Sequence, residues 1–171
     1  MRASSRSGIA AAAVGLLAIA PLLSACGFTP LYAEQGVAKG LADIDVVSPQ
    51  GRIGFLLHES LDDDLGHDKS AAPAYRLEMS LAQTRGPRGR TRTDVADYYD
   101  VGLTVHFTLI SVASGRVACS GDVASQVSYD DSGQAYGDIA AAQDADSRVA
   151  ADAARRIQIK LATWMARQAP S

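Results

Sequence analysis

Cysteine is nearly absent from this chain: Cys26 and Cys119 are the only two in 171 residues. The first lies at the end of an N-terminal stretch that reads as removable or modified. Cys119 then has no intramolecular partner, and a disulfide framework is excluded. Several catalytic signatures are missing as well. The chain contains no C-x-x-C, no G-x-S-x-G elbow and no Walker loop. It also lacks a basic excess: 16 Lys and Arg stand against 19 Asp and Glu, a net charge of −3. General nucleic-acid binding needs a broad basic face, which such a balance does not provide. No internal repeat and no long low-complexity tract occurs.

What the chain does have begins at its N-terminus. Arg2 and Arg6 precede an uncharged apolar run over residues 8–23, GIAAAAVGLLAIAPLL, and small residues Ser24 and Ala25 lead to Cys26. This is the layout of a secretory signal peptide. Pro21 interrupts the run, which is short for a membrane span of about 20 apolar residues. Leu23-Ser24-Ala25-Cys26 matches the bacterial lipobox, so residues 1–25 are expected to be cleaved. By resemblance to that signal, Cys26 becomes the first mature residue and carries an S-diacylglycerol and an N-acyl chain. Each buried methylene contributes roughly 0.8 kcal/mol, so one chain holds marginally and several hold firmly. Gly27 follows, where an aspartate often retains bacterial lipoproteins in the inner membrane; its absence favours the outer membrane as a rule of that family.

Without residues 1–25 the chain keeps 146 residues, with 14 basic against 19 acidic side chains and a net charge of −5. Roughly 150 residues suffice for one core without disulfide or metal staples. Residues 26–40, with Pro30, Gly36 and Gly40, read as a lipidated tether, and 41–171 as a single globular domain. Within it, residues 41–47 alternate imperfectly as a short strand that Ser48-Pro49-Gln50-Gly51 breaks. Ile53, Leu57, Leu61 and Leu65 recur every four residues and predict a helix over 52–65, ended by Gly66. Tyr75, Leu77, Met79 and Leu81 alternate over 75–83, and Val101, Leu103, Val105, Phe107 and Leu109 over 101–112. Val117, Cys119, Val123, Val127 and Tyr129 mark a last strand, with a bulge expected at Gly121. Ile139, Val149, Ala153, Ile157, Leu161 and Trp164 predict a helix over 138–168.

The order β-α-β-β-β-α gives an α/β (α+β) two-layer sandwich, a four-stranded sheet with two helices on one face. The first two strands, joined through a helix, are expected parallel; the others pair antiparallel. The opposite sheet face then carries Gly102, Thr104, His106, Thr108, Ala118, Ser120, Ala124, Gln126 and Ser128. These are small and mostly uncharged, which fits either plain solvation or close approach to a polar wall.

Two constellations invite chemistry. His58, Asp62, Asp63, Asp64 and His67 suggest a metal, but the metalloprotease spacing fails because Asp62 stands where a second histidine is needed. An acidic solvated helix face explains them more simply. His106 lies far in sequence from any obvious acid-base partner. The second is TRGPRGRTRTD, residues 84–94, where Arg85, Arg88, Arg90 and Arg92 crowd a strand-joining tip without an acid among them. Four like charges repel, and arginine's planar fork suits phosphates. Anion binding and an ordinary charged loop, or an edge protected against aggregation, both fit.

The lipobox cysteine followed by CGFTPLY (Cys26, Gly27, Phe28, Pro30, Leu31, Tyr32), the element order and the long alanine-rich last helix together resemble the LPS-assembly lipoprotein LptE family. That resemblance implies a lipoprotein anchored in the inner leaflet of the outer membrane, forming a plug inside the barrel LptD. It implies lipopolysaccharide binding, support of barrel assembly, and neither catalysis, cofactor, metal nor nucleic acid. Basic residues at a loop end serve lipopolysaccharide in that family, and here Arg85, Arg88, Arg90 and Arg92 fit the description. The alternatives are an auxiliary lipoprotein of another envelope lipid-transport system, or a periplasmic hydrolase or metalloenzyme built on His58, Asp62 and His67.

Overall fold

The structure, a computed structural model, describes residues 35–67, 70–88, 98–131 and 133–168. Their elements are α1 (Gln35–Ala42), β1 (Ile44–Val46), α2 (Arg52–Leu65), β2 (Tyr75–Pro87), β3 (Tyr98–Ser111), β4 (Val117–Asp130) and α3 (Ala135–Gln168). The strands form one sheet in the order β1-β2-β3-β4. β1 runs parallel to β2, and β2-β3-β4 is an antiparallel meander, as the element order implies.

Alternation decides which face is covered. Leu77 of β2, Val101, Leu103, Val105, Phe107 and Leu109 of β3, and Val123 of β4 are buried on one face. Against them lie Leu57, Leu61 and Leu65 of α2 and Val149, Ile157 and Leu161 of α3. α3 also buries Ala145, Ala150, Ala153, Ala154 and Ala162. A methyl group is all that stands between these backbone positions and their neighbours, so alanine lets the helix lie close. Buried side chains begin only at Ala145, although the helix runs 34 residues, about 51 Å. Ile139, expected on the packed stripe, is 57% exposed on the unburied first turns, beside Tyr136. Helical spacing identifies a stripe but not the point where the sheet beneath it ends.

A third helix joins the two expected. α1 occupies residues assigned to the tether and the first strand, and buries Val37 and Leu41. Leu41 therefore enters the core from a helix, and β1 shrinks to Ile44–Val46. Gly40 gives α3 room there: a Cβ would fall 2.8 Å from Met165 Sδ, and that flexible side chain would have to shift.

Local signals place the ends well. Gly66 adopts φ 64°. Its N–H donates to Asp62 O and Asp63 O, and the His67 N–H donates to Asp62 O. That is a Schellman closure, which needs a left-handed residue. The bulge of β4 is displaced from its expected place. Leu109 pairs with Cys119 but Ile110 with Val117, so Ala118 is the extra residue. Gly121 instead pairs with Phe107, whose ring lies where a Cβ would project, 2.9 Å from Cζ. Glycine is there for a buried ring, not for a kink.

Candidate lipoprotein surfaces

The two described tip arginines are sent to opposite faces by strand alternation. Arg85 is in register with the odd-numbered residues of β2 and reaches the helix side. Its Nη2 lies 2.7 Å from Asp146 Oδ1 of α3, and its Nη1 donates to the Tyr129 hydroxyl at 2.9 Å. The guanidinium carbon also sits 5.3 Å from the Tyr129 ring centroid, and Tyr99 stacks on that ring at 5.7 Å and 20°. Gln83 Nε2 donates to the same Asp146 oxygen at 2.8 Å. Arg85 is therefore a clamp between β2, β4 and α3, with cation–π contact adding to the ion pair.

Arg88 lies on the other face and is 64% exposed. Its Nη1 donates to Ser128 Oγ at 2.8 Å, and its Nε is 3.8 Å from Asp100 Oδ2. Asp100 also accepts from Ser128 Oγ at 2.6 Å and Gln126 Nε2 at 2.9 Å. The charge repulsion expected at this tip is thus answered in part by the chain's own carboxylates. Asp100 and Asp146 arrive from β3 and α3, beyond the acid-free stretch of sequence. An ion pair this exposed contributes only about 0–1 kcal/mol, so Arg88 keeps most of its capacity for an external anion. Arg90, Arg92 and Cys26 lie outside the described residues.

Sequence reading missed Arg148 of α3, whose Nε lies 2.6 Å from Asp144 Oδ2 while Nη2 donates to Ser128 O at 3.3 Å. It brings a further basic group to this end of the sheet. The signal was present as an i,i+4 Asp-Arg pair, but only the fold sets it beside Ser128.

The helix-free face matches its expected composition in part: Ala118, expected there, is the bulge residue and packs half-buried against the core, and the charged Asp122 joins the face. Thr104, His106, Ser120, Ala124 and Gln126 are exposed there, with Asp122 among them. His106 does have a partner: Nδ1 is 2.8 Å from Asp122 Oδ1 across the β3–β4 ladder, both side chains largely exposed. A sequence separation of sixteen residues concealed a directly opposed pair.

The histidine-acid region shows no ligand set. His58 Nδ1 and Asp62 Oδ2 are 4.0 Å apart. Both line an open depression of about 470 Å³ with Asp45, Val46, His67, Ala71 and Pro73. Among the described residues, no group of three or more His, Cys, Asp or Glu side chains is placed to hold a metal ion. Asp64 is raised above the usual carboxylate range, chiefly by burial and against the pull of Arg155. Cys119 is half-buried on the helix side of β4, and burial pushes its thiol up, away from the reactive thiolate. At the margin of the core, the buried Ser125 Oγ donates to Asp152 Oδ2 at 2.5 Å. That bond, with help from Arg156 and against partial burial, holds the Asp152 carboxyl below its usual range.

Known proteins resemble this arrangement. A Caulobacter crescentus CB15 protein assigned as a lipoprotein is 40% identical, with a TM-score of 0.70 over 80% of this chain and 99% of its own. Rare lipoprotein B from Shewanella oneidensis is similar in fold at 16% identity and TM-score 0.55, over 73% of this chain and 96% of its own. A minor lipoprotein from Acinetobacter baumannii is similar at 14% identity and TM-score 0.51, over 70% and 88% respectively. No protein-family model and no curated protein matches the chain. Identity at that level over nearly the whole of the Caulobacter protein leads to one conclusion: this chain belongs to the same lipoprotein family.

Proposed function

We propose that this chain is an outer-membrane lipoprotein, moored by acyl chains on Cys26, that sits as a plug in the barrel LptD and assists lipopolysaccharide assembly. The observation that carries the reading is the 40% identity to a lipoprotein across 99% of that protein, joined to the Leu23-Ser24-Ala25-Cys26 lipobox. Fold alone does not give function, so the surfaces must support it. A barrel lumen is lined by polar side chains. The helix-free face of β3 and β4 offers Thr104, Ser120, Ala124 and Gln126, short enough to approach such a wall. The tip offers Arg88, exposed and supported by Asp100 and Ser128. A guanidinium so held suits the phosphates and acidic sugars of lipopolysaccharide, and Arg90 and Arg92 follow it in sequence. No catalytic step is assigned: His58 and His67 share one open depression, and His106 and Cys119 stand apart from it on the sheet.

The test is affinity purification from detergent-solubilised envelopes followed by mass spectrometry. An outer-membrane barrel is expected as the stable partner. Recovery of inner-membrane transport components in its place would move the chain to another envelope lipid-transport system. Radioactive palmitate should label the wild-type chain and leave Cys26→Ala unlabelled; label retained by the variant would refute the anchor.

A further inference from the structure

The sheet is left with an unpaired edge that the chain itself is built to keep open. β1 covers β2 only at Tyr75, Arg76 and Leu77. Val47 adds one more bond, donating to Leu77 O at 3.0 Å, and then the chain turns away. The turn is locked: Gly51 holds φ 86°, and a Cβ on Gly54 would collide with the Pro49 carbonyl. β1 ends at Val46, and β2 continues from Glu78 to Pro87 with no neighbouring strand on that side among the described residues.

Which backbone groups this leaves bare follows from the hydrogen bonds already made. Leu77 O and the Tyr75 N–H point to the β1 side, whereas the Arg88 N–H and Ala74 O bond to β3 residues or their continuation. In a strand the N–H and C=O of one residue share a side, and successive residues alternate. The odd-numbered residues Met79, Leu81, Gln83 and Arg85 thus direct N–H and C=O to the open edge, while the even-numbered ones hold β3.

Three further observations say what fits there. An open depression of about 480 Å³ lies beyond the end of β1, lined by Val47, Pro49, Met79 and Leu81 with Ser48, Gln50 and Glu78. Met79 and Leu81 are only half-buried, so their spacing of two leaves apolar surface for alternate side chains of an added strand. Glu78 makes no ion pair among the described residues and would complement a basic side chain opposite it. The edge carries no lysine and no bulge against β3, its proline comes last, and its charges, Glu78 and Arg85, stand only at the two ends of Met79–Gln83.

We infer that Met79–Arg85 receives an extended segment of the envelope partner as an added strand beside β2, in line with β1. Rows of main-chain donors and acceptors are matched only by another extended backbone, which fixes the class of occupant. The strands of a closed barrel have no free edges, so the segment is a loop or terminus of the partner and not its wall. This deepens the envelope reading above and rests on it for where the partner is found.

Hydrogen exchange tests it, read by mass spectrometry on the full lipidated chain in envelope vesicles and on the same chain purified in detergent and separated from any co-purifying partner. The amides of Leu81, Gln83 and Arg85 should exchange at least tenfold more slowly in vesicles, while those of Ser80 and Ala82 stay protected in both. Gln83→Pro removes an edge N–H without touching the β3 ladder, a position where strands tolerate proline. It should keep the purified fold by circular dichroism and abolish the slowing at Leu81 and Arg85. Equally fast exchange in both samples overturns the inference alone. Protection already present in the purified chain, as monomer or dimer, also overturns it, since the occupant would then be this chain. Absence of the chain from the vesicles overturns the envelope reading and this inference together.

Discussion

Substituting Gly121 tests the account of the core most sharply, because the favourable and unfavourable terms are of similar size and structure decides between them. In a strand interior, Gly→Ala normally gains about 0.5–1 kcal/mol from reduced backbone freedom. Here the new methyl would lie 2.9 Å from Phe107 Cζ, closer than real Cβ contacts come, and a tight 3.1 Å from Cε1. Phe107 is 2% exposed and packed under the helices, so its ring cannot swing into solvent. Overpacking of this kind costs about 1–3 kcal/mol. The expected net loss for Gly121→Ala is about 0–2.5 kcal/mol, from the two terms together. That is a fall in Tm of up to roughly 10 °C for a domain of this size.

Gly102→Ala is the control. Its Cβ would meet only Thr84 Oγ1, at 2.6 Å, on the helix-free face. Thr84 is exposed and changes rotamer easily, so that variant should be neutral or more stable by up to about 1 kcal/mol. Phe107→Leu shortens the ring and should cost less than the ~3–5 kcal/mol of full truncation to alanine. In the Phe107→Leu background, Gly121→Ala should cost less than it does alone, giving a measurable coupling energy. Urea unfolding of the four chains provides all the values. If Gly121→Ala proved more stable than wild type, or its cost were unchanged by Phe107→Leu, the proposed reason for glycine would be refuted.

Two other expectations concern charge. Asp152 is held below the usual carboxylate range by Ser125 first, so its contribution is complete above about pH 4 and is lost as pH falls through the depressed value. Ser125→Ala should cost about 1 kcal/mol at neutral pH and flatten the acid limb of a pH series of urea midpoints; an unchanged limb would contradict the assignment. Asp64 works with the opposite sign: raised by burial, it weakens the fold at neutral pH, and the penalty fades as pH drops below its raised value. Arg85→Ala should destabilise by about 1–2 kcal/mol through lost ion pair, hydrogen bond and cation–π contact. Arg88→Ala should cost under about 1 kcal/mol yet lower lipopolysaccharide retention. Thermal melts and a lipopolysaccharide pull-down separate the two, and equal behaviour of both variants would contradict the division of roles.

The arginine tip shows how far spacing can be read. Four arginines in eight residues were visible as a cluster, yet a list of neighbours cannot tell that Arg85 and Arg88 face opposite ways. That depends on where β2 ends and which carboxylates β3 and α3 bring alongside. Likewise, Gly66 was legible as a helix stop because the Schellman closure involves only its own helix. Gly121 was misread because its reason is Phe107, on another strand. α1 was overlooked because its helix is short and its purpose lies in docking Val37 and Leu41, with Gly40 beside Met165.

By itself the chain determined the properties that act over a few residues: the lipobox around Cys26, the alternation that makes β2, β3 and β4, the leucine face of α2 and the alanine stripe of α3. Those rest on backbone periodicity and on side-chain chemistry, both local. Tertiary structure alone decided which arginine is a clamp and which stays exposed, that His106 meets Asp122, and that β2 is left with a bare edge. Those depend on register, and register brings together residues that the order of the chain keeps far apart.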